Sequence, residues 1–421
     1  MSKLEELIQK YCPDGVELRT IGEVCQKVFA GGTPTSSNSS YYGGDIPWLR
    51  SGEVNFNEIT STEKTITEEG YNSSSARWVE SQSVLVAMTG ATVARSAITM
   101  IELTANQSVC ALVPKREILN YRFLYYWISK SYLQMKGMAQ GALTSLNLNL
   151  IKSIEIPVPP LPVQEEIVRV LDTFTELQAE LQAELQKRLQ QYNYYRDNLL
   201  SFEGRTDVEW KKLGEIATIK TGRRFVRTDI RESGVPCFHY GDIYTYYGLT
   251  ATQTKGYLDE ELAKKLRFAQ PNDVVVVCAG ENDMDIGVGV AWLGDEPAVV
   301  HDACCILHHN QNPRYISHFL RTHNYHLQMK KYVKNGKISS LPASGLAEAL
   351  IPIPSLDEQE RIASILDRFD ALTRDLTAGL PAEIEKRRQQ YEYYRDKLLT
   401  FKRVYNQQGL NLIDNHQHYG Y

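Results

Sequence analysis

Apolar residues recur through one long stretch at Ile167, Leu171, Phe174, Leu177, Leu181, Leu185, Leu189, Tyr192, Tyr195 and Leu199. The mean step, (199 − 167)/9, is about 3.6 residues, the period of an α-helix. Glu, Gln, Lys and Arg fill the other faces, and no Gly or Pro falls between Val163 and Phe202. The pattern predicts one unbroken helix over residues 161–203, about 40 residues and roughly 60 Å long. A helix of that length needs a partner of similar length to cover its apolar stripe.

The chain carries that partner as a second copy at residues 355–402. Ile156-Pro157-Val158-Pro159 aligns with Ile351-Pro352-Ile353-Pro354 at an offset of 351 − 156 = 195. The same offset pairs Gln164-Glu165 with Gln359-Glu360, Leu171-Asp172 with Leu366-Asp367, and Phe174 with Phe369. Further on, Tyr192–Phe202 matches Tyr391–Phe401 at 8 of 11 positions, now at an offset of 391 − 192 = 199. The second copy therefore holds four extra residues, close to one helical turn. They fall near Gly379-Leu380-Pro381, where proline kinks or restarts a helix.

Outside the helices, residues 1–15 read as a short helix, Leu4–Tyr11, closed by Pro13 and Gly15. Residues 16–160 mix short apolar runs (Ser83–Met88, Ser108–Val113) with loops rich in Gly, Ser, Thr and Asn, then a helical stretch, Tyr121–Met138. The pattern is that of an α+β globule with a strand-rich core. Residues 208–354 repeat this globule at low identity. Val16-Glu17 pairs with Val208-Glu209, Gly22-Glu23 with Gly214-Glu215, Pro47 with Pro236, Gly90 with Gly280, and Leu133–Lys136 with Leu327–Lys330. Glycines, prolines and core positions are shared, whereas the loops differ throughout. Gly31–Gly44 reads GGTPTSSNSSYYGG where Thr221–Gly234 reads TGRRFVRTDIRESG. Variable loops on a repeated frame fit two binding modules for different targets. Residues 403–421 form a polar tail, expected to be poorly ordered.

Composition narrows the class. A chain of 421 residues, 43% hydrophobic and 23% charged, fits a globular protein of two or three domains. Seven cysteines without regular spacing predict reduced thiols. No signal peptide is recognisable in MSKLEELIQKYCPDG and no apolar run reaches membrane length, so a cytoplasmic protein is expected. The net charge of −5 rules out a uniformly basic nucleic-acid binder but leaves room for local basic faces. Motifs for catalysis are missing. There is no Asn/Asp-Pro-Pro-Tyr/Phe run of an amino-methyltransferase, Gly287-Val288-Gly289 lacks the third glycine of a nucleotide loop, and Gly336-Lys337 is no P-loop. His301, His308, His309, His318, His323 and His326, with Cys304 and Cys305, follow no zinc spacing, and no metal site is assigned.

Four features together carry a resemblance: the Gly-Thr-Pro loop, the Val-Leu-Val-Ala-Met-Thr-Gly strand-turn, the Ile-Pro-Val-Pro-Pro-Leu-x-x-Gln-Glu entry, and the Tyr-x-Tyr-Tyr-Arg-Asp-x-Leu-Leu helix end. The chain, duplicated over nearly its whole length, resembles the specificity subunit of type I restriction–modification systems. The resemblance implies an α+β fold of two tandem pseudo-repeat α/β target recognition domains separated by two long antiparallel coiled-coil helices. It implies a non-catalytic DNA sequence-recognition subunit, each globule reading one half of a bipartite double-stranded site. It further implies helices that set the spacer and dock two methyltransferase subunits, with motor-nuclease restriction subunits completing the complex. S-adenosylmethionine, ATP and Mg would then belong to the partners, with no cofactor in this chain. A non-DNA coiled-coil adaptor with two protein-binding heads is the alternative.

Candidate DNA contacts lie in the loops. In the second globule, Lys220, Arg223, Arg224 and Arg227 surround a glycine turn, and Lys330, Lys331, Lys334 and Lys337 follow a helix; such side chains neutralise phosphates, and Arg also reads guanine. Tyr240, with Tyr244, Tyr246 and Tyr247, either faces bases or packs. In the first globule the candidates are Asn38, Arg50, Thr92, Arg95 and Thr144. For partner docking, Tyr194, Arg196, Tyr393 and Arg395 are the candidates, with Tyr192, Tyr195, Tyr391 and Tyr394 turned inward.

Overall fold

The computed structural model describes residues 3–139, 145–281, 286–334, 336, 338–374 and 379–404, and also leaves the Tyr244 side chain undescribed. The chain divides into two compact units, residues 1–178 with 387–421, and residues 179–386. The boundary falls inside the long helix, because the two halves of that helix pack on different cores.

The first unit opens with helix α1 (Lys3–Tyr11). Its five-stranded sheet contains β1 (Cys25–Ala30), β2 (Asn57–Ile59), β3 (Ser83–Ala87), β4 (Ser96–Thr99) and β5 (Val109–Pro114), in the order β1-β5-β3-β4-β2. All pairings are antiparallel except β2 with β4. A four-stranded sheet orders Thr65–Ile66, Tyr42–Leu49, Leu103–Ala105 and Trp78–Val79. The continuous apolar runs of β3 and β5 are buried on both faces, as expected for central strands covered on two sides. Val84 and Val86 pack with Phe123, Leu124 and Ile128 of helix α2 (Tyr121–Lys130). Leu85 and Ala87 pack the opposite way, with Leu49, Val79 and Leu103 of the smaller sheet. This alternation is the period-2 rule of a strand acting inside a three-layer stack. The helical stretch predicted over Tyr121–Met138 divides at Ser131, where a second short helix, Tyr132–Met138, begins.

The second unit repeats the topology. Its strands β6 (Ala217–Thr221), β7 (Thr250–Ala251), β8 (Val274–Val277), β9 (Gly289–Trp292) and β10 (Cys304–His309) run in the order β6-β10-β8-β9-β7, with β7 and β9 parallel. Its four-stranded sheet orders Gly256–Leu258, Val235–Phe238, Ala298–Val300 and Phe268–Ala269.

Helix α3 (Leu161–Leu199) is the unbroken helix that the apolar ladder predicts. Its second copy is two helices, following α4 (Pro313–Phe319): α5 (Leu356–Arg374) and α6 (Leu380–Leu398). The restart carries Pro381 in its first turn, where a missing N–H costs nothing. In the second unit, Tyr195 stacks on Phe369 at 5.4 Å and Arg374 lies over Tyr192 at 5.9 Å, so numbering falls along α5 as it rises along α3. The pairing there is antiparallel. In the first unit, Phe174 stacks on Tyr394 at 5.3 Å. These two ring pairs are repeat equivalents with their partners exchanged.

Each globule is fixed to its long helix by the same device. Fully buried Gln164 accepts from the Asn120 N–H (2.8 Å) and donates to the Ile118 and Pro159 carbonyls (2.8 and 2.6 Å). Gln359 accepts from the Asn312 N–H (3.0 Å) and donates to the Pro354 carbonyl (2.9 Å). Asn120 and Asn312 in turn cap α2 and α4. Arg122 then pairs with Asp172 and Glu58, and Arg314 with Asp367 and Glu360. The residue one turn on differs: Tyr126 donates to Asp172 at 2.5 Å, while His318 meets Asp367 at 2.8 Å. The polar tail does not start at 403, since Val16 donates to the Lys402 carbonyl and accepts from Val404. Residues 405–421 lie outside the described residues.

Candidate nucleic-acid interface

In both globules the loop after the first strand of the larger sheet starts at a glycine under steric demand. A Cβ at Gly31 would strike the Ala105 and Asn106 carbonyl oxygens, and one at Gly222 would strike those of Val300 and His301. The two divergent loops therefore leave the frame from one equivalent point, and only their outer residues are free to change.

In the second globule, the basic cluster separates into anchors and free cations. The Arg223 N–H donates to Val300, and its guanidinium donates to the Lys265 carbonyl at 2.7 Å, so this side chain holds the loop down. Arg224 and Arg227 are exposed, and their guanidinium groups meet no hydrogen-bond partner among the described residues. Phe225 between them is buried. It meets the His301 ring edge-on at 5.1 Å and the His239 ring at 6.2 Å. Tyr240 lies against both imidazoles, at 4.6 Å from His239 and 5.3 Å from His301. Burial holds both histidines below the usual imidazole range; the charge of Arg227 adds to this at His239, and that of Arg224 at His301. Both rings are accordingly neutral at pH 7. Lys220 is exposed on β6. Lys334 pairs with Ser340 through its backbone and leaves its side chain exposed. Lys337 lies outside the described residues. Of the remaining tyrosines, Tyr246 is exposed and Tyr247 accepts from the Lys255 N–H at 2.7 Å.

In the first globule, Arg50, Thr92 and Arg95 come together on two touching loops. The Thr92 hydroxyl donates to the Ser51 carbonyl at 2.9 Å, and Arg95 donates to Asn55 at 2.8 Å. Arg50 is not a free cation, because Glu63 and Glu53 both face its guanidinium. Asn38 is occupied locally, capping a turn by accepting from the Ser40 N–H and hydroxyl. Thr144 lies outside the described residues. Beside this cluster, Phe56 holds a φ of +56° and packs edge-on against Tyr132 at 5.3 Å.

On the long helices, Tyr194 is 65% exposed and its repeat equivalent Tyr393 is 62% exposed. Their neighbours Tyr195 and Tyr394 stack on phenylalanines, and Tyr192 is fully buried. Arg196 is also buried, bonded to Asp197 and set over the Tyr192 ring at 5.5 Å. Arg395 bonds Asp396 and lies over the Tyr391 ring in the same way, but it is half-buried, with its side chain 19% exposed. Arg196 therefore braces its own helix and offers little to a partner, whereas Arg395 remains partly accessible. The histidines grouped by sequence are separated in space. His308 meets Asp273 at 2.7 Å, while His318 sits between Asp367 and the Tyr192 hydroxyl. No group of three or more metal-ligand side chains occurs among the described residues, and none of the described helices is long and apolar enough to cross a membrane. His239 escaped the sequence pattern, since its value comes from a ring contact with His301 across 61 intervening positions; the alignment of Pro47 with Pro236 marks its place opposite Arg50.

Known proteins agree with this duplicated frame. A family model described as "Type I restriction modification DNA specificity domain" matches residues 13–191 and again residues 206–386. The chain is 34% identical over 294 residues to the Escherichia coli type I restriction enzyme EcoR124I/EcoR124II specificity subunit, covering 66% of this chain and 70% of that one. It is 29% identical over 399 residues to the Escherichia coli EcoprrI specificity subunit, covering 90% and 92%. A solved chain from a study of complex assembly and conformational transition of the type I R-M system shares the fold at a TM-score of 0.63, with 16% identity and coverage of 92% and 98%. The S subunit from M. genitalium aligns at a TM-score of 0.52, with 14% identity and coverage of 92% and 97%.

Proposed function

The chain belongs to the type I restriction–modification DNA specificity family, and from that premise we propose that its two globules each read one half of a split duplex DNA site. One observation carries the reading. Two globules keep the same strand order and the same glutamine clamp, yet differ throughout the loops that leave the frame at Gly31 and Gly222. A frame kept twice with its loops changed twice is suited to two different targets. Side-chain contact to base edges supplies the sequence selectivity, and exposed cations such as Arg224 and Arg227 supply phosphate affinity.

In this reading the subunit does no chemistry. Two methyltransferase subunits dock on the long helices, one at Tyr194 and one at Tyr393, and methylate adenine with S-adenosylmethionine as donor. Restriction subunits that use ATP and Mg complete the cytoplasmic complex. The tandem tetrapeptide LQAE at Leu177–Glu184 lies on α3 where the chain passes from one unit to the other, and α3 acts as the ruler for the unread spacer. A protein-binding adaptor lacks support beside the family match. The test is co-expression with the cognate methyltransferase subunit and single-molecule sequencing of methylated adenines. A split motif with a fixed gap is expected, and replacing residues 16–160 with another member's globule should change one half of it only. A continuous motif, or a swap that changes both halves, would refute the reading.

A further inference from the structure

Among the polar side chains of the second globule, His239 is held in a state that the frame alone does not need. Its Nδ1 accepts a hydrogen bond from the Gly241 N–H at 3.3 Å. A ring nitrogen that accepts carries no proton, so the neutral imidazole keeps its proton on Nε2. That Nε2–H meets no partner among the described residues, and it is not one of the sealed, unsatisfied polar atoms of the fold. The ring packs in a triangle with those of Tyr240 at 4.6 Å and His301 at 4.9 Å, which lie 5.3 Å from each other. His301 is itself held in place: its Nδ1 meets the Ala303 N–H at 3.1 Å and the Asp302 carboxylate at 3.0 Å, and its ring meets that of Phe225 edge-on at 5.1 Å. Phe225 lies between the two exposed arginines, so His301 ties the basic loop to the ring that carries the unused donor.

We propose that His239 is a specificity-determining residue of the second globule, with its Nε2–H presented to an acceptor on a base edge of duplex DNA. The inference rests on the DNA-reading function proposed above. A fixed donor favours base pairs that offer an acceptor at that point, such as guanine O6 or N7, adenine N7 or thymine O4, and disfavours the cytosine amino group. The three-ring cluster gives the donor its direction, and the exposed Arg224 and Arg227 of the neighbouring loop hold backbone phosphates. The equivalent position in the first globule is Arg50, whose charge is met by Glu53 and Glu63. The two halves of the chain thus carry different chemistry at one point of a shared frame.

The experiment compares methylation motifs of the wild-type complex with those of His239→Phe and His239→Gln. Phe keeps a ring in the aromatic cluster and deletes the donor, whereas Gln restores a donor on a flexible chain. The wild type must first give a split motif; failure there refutes the functional reading and not the role of His239. With that motif in hand, His239→Phe is expected to relax one base position in one half-site on the order of tenfold. The other half-site and the spacer should stay unchanged, and Gln should recover part of the lost selectivity. Unchanged discrimination at every position overturns the proposal, and so does a uniform loss across all sequences. A second measurement needs no variant. In the wild-type complex, carbethoxylation of His239 read by peptide mass spectrometry should be blocked by a duplex carrying the motif but not by an unrelated duplex of equal length. Equal reactivity with both duplexes would overturn the proposal as well.

Discussion

Replacing Gln164 with leucine should loosen the first globule from its helix while leaving the second untouched. The side chain is fully buried and serves three backbone groups: the Asn120 N–H and the Ile118 and Pro159 carbonyls. Leucine fits a similar volume but offers none of these bonds. Each of the three stranded groups costs about 1–3 kcal/mol, and the added apolar burial returns about 1–2 kcal/mol, so the net loss spans roughly 1–8 kcal/mol with its centre near 4–5 kcal/mol. Because Asn120 caps α2, the loss should concentrate in residues 118–130. Native-state hydrogen exchange reads this directly. Amides of α2 that exchange only through this opening should lose protection by a factor on the order of a hundred to ten thousand. Gln359→Leu should mirror the result in α4 and spare the first unit. A change below about 1 kcal/mol, or equal loss of protection in both units, would refute the clamp argument.

Four other outcomes are expected. Mild acid should weaken the second unit first: burial holds His239, His301, His309, His318 and His326 below the usual imidazole value of 6.5, so their contribution is intact above about pH 6.5 and fades as pH falls toward the folded values, at no more than about 1.4 kcal/mol per pH unit for each. The described part of the first unit contains no histidine, its buried Glu166 is held down at about 2 chiefly by its bond to Arg169, and hydrogen-exchange protection at pH 5.5 that falls equally in both units would contradict the assignment. Removing Arg224 and Arg227 together should lower the slope of log affinity against log salt by about 1.8, at 0.9 per phosphate, and an unchanged slope would place both away from DNA. Tyr194→Ala and Tyr393→Ala should each cost one methyltransferase subunit in native mass spectrometry while the monomer melts as before, and full occupancy of the double variant would remove these tyrosines from the interface. One additional LQAE copy after Glu184 should add roughly 6 Å of helix and widen the unread gap in the methylation motif, whereas altered half-sites with an unchanged gap would count against the ruler.

The long helix was legible because its apolar residues report one physical demand, a stripe to be covered, at one period over ten positions. The repeat was legible for a similar reason: Gln164 and Gln359 keep their type because each must accept from the N–H of a helix-capping asparagine and donate to a proline carbonyl. What escaped were partnerships set by tertiary approach. Arg50 and Arg223 read as free cations in the sequence, yet Glu63 approaches the first across a turn and the Lys265 carbonyl approaches the second across 41 intervening residues. Arg196 read as a surface contact beside the exposed Tyr194, but two steps around a helix turn a side chain by about 200°, to the opposite and buried face. The second helix is broken near Pro381, where the sequence allowed either a kink or a restart.

The exchanged ring pairs bear on how such a chain arises. Phe174 in the first half meets Tyr394 from the second, and Tyr195 in the first half meets Phe369 from the second. Each half therefore contributes one phenylalanine and one tyrosine, and each lacks only what the other provides. Two copies of a single half-length ancestor could satisfy the same contacts as a homodimer, but both copies would carry the same loops and read the same word twice. Fusing the halves into one gene lifts that restriction: a mutation in one loop no longer appears in its twin, and the two recognition surfaces can drift apart while the helix contacts remain under a common constraint.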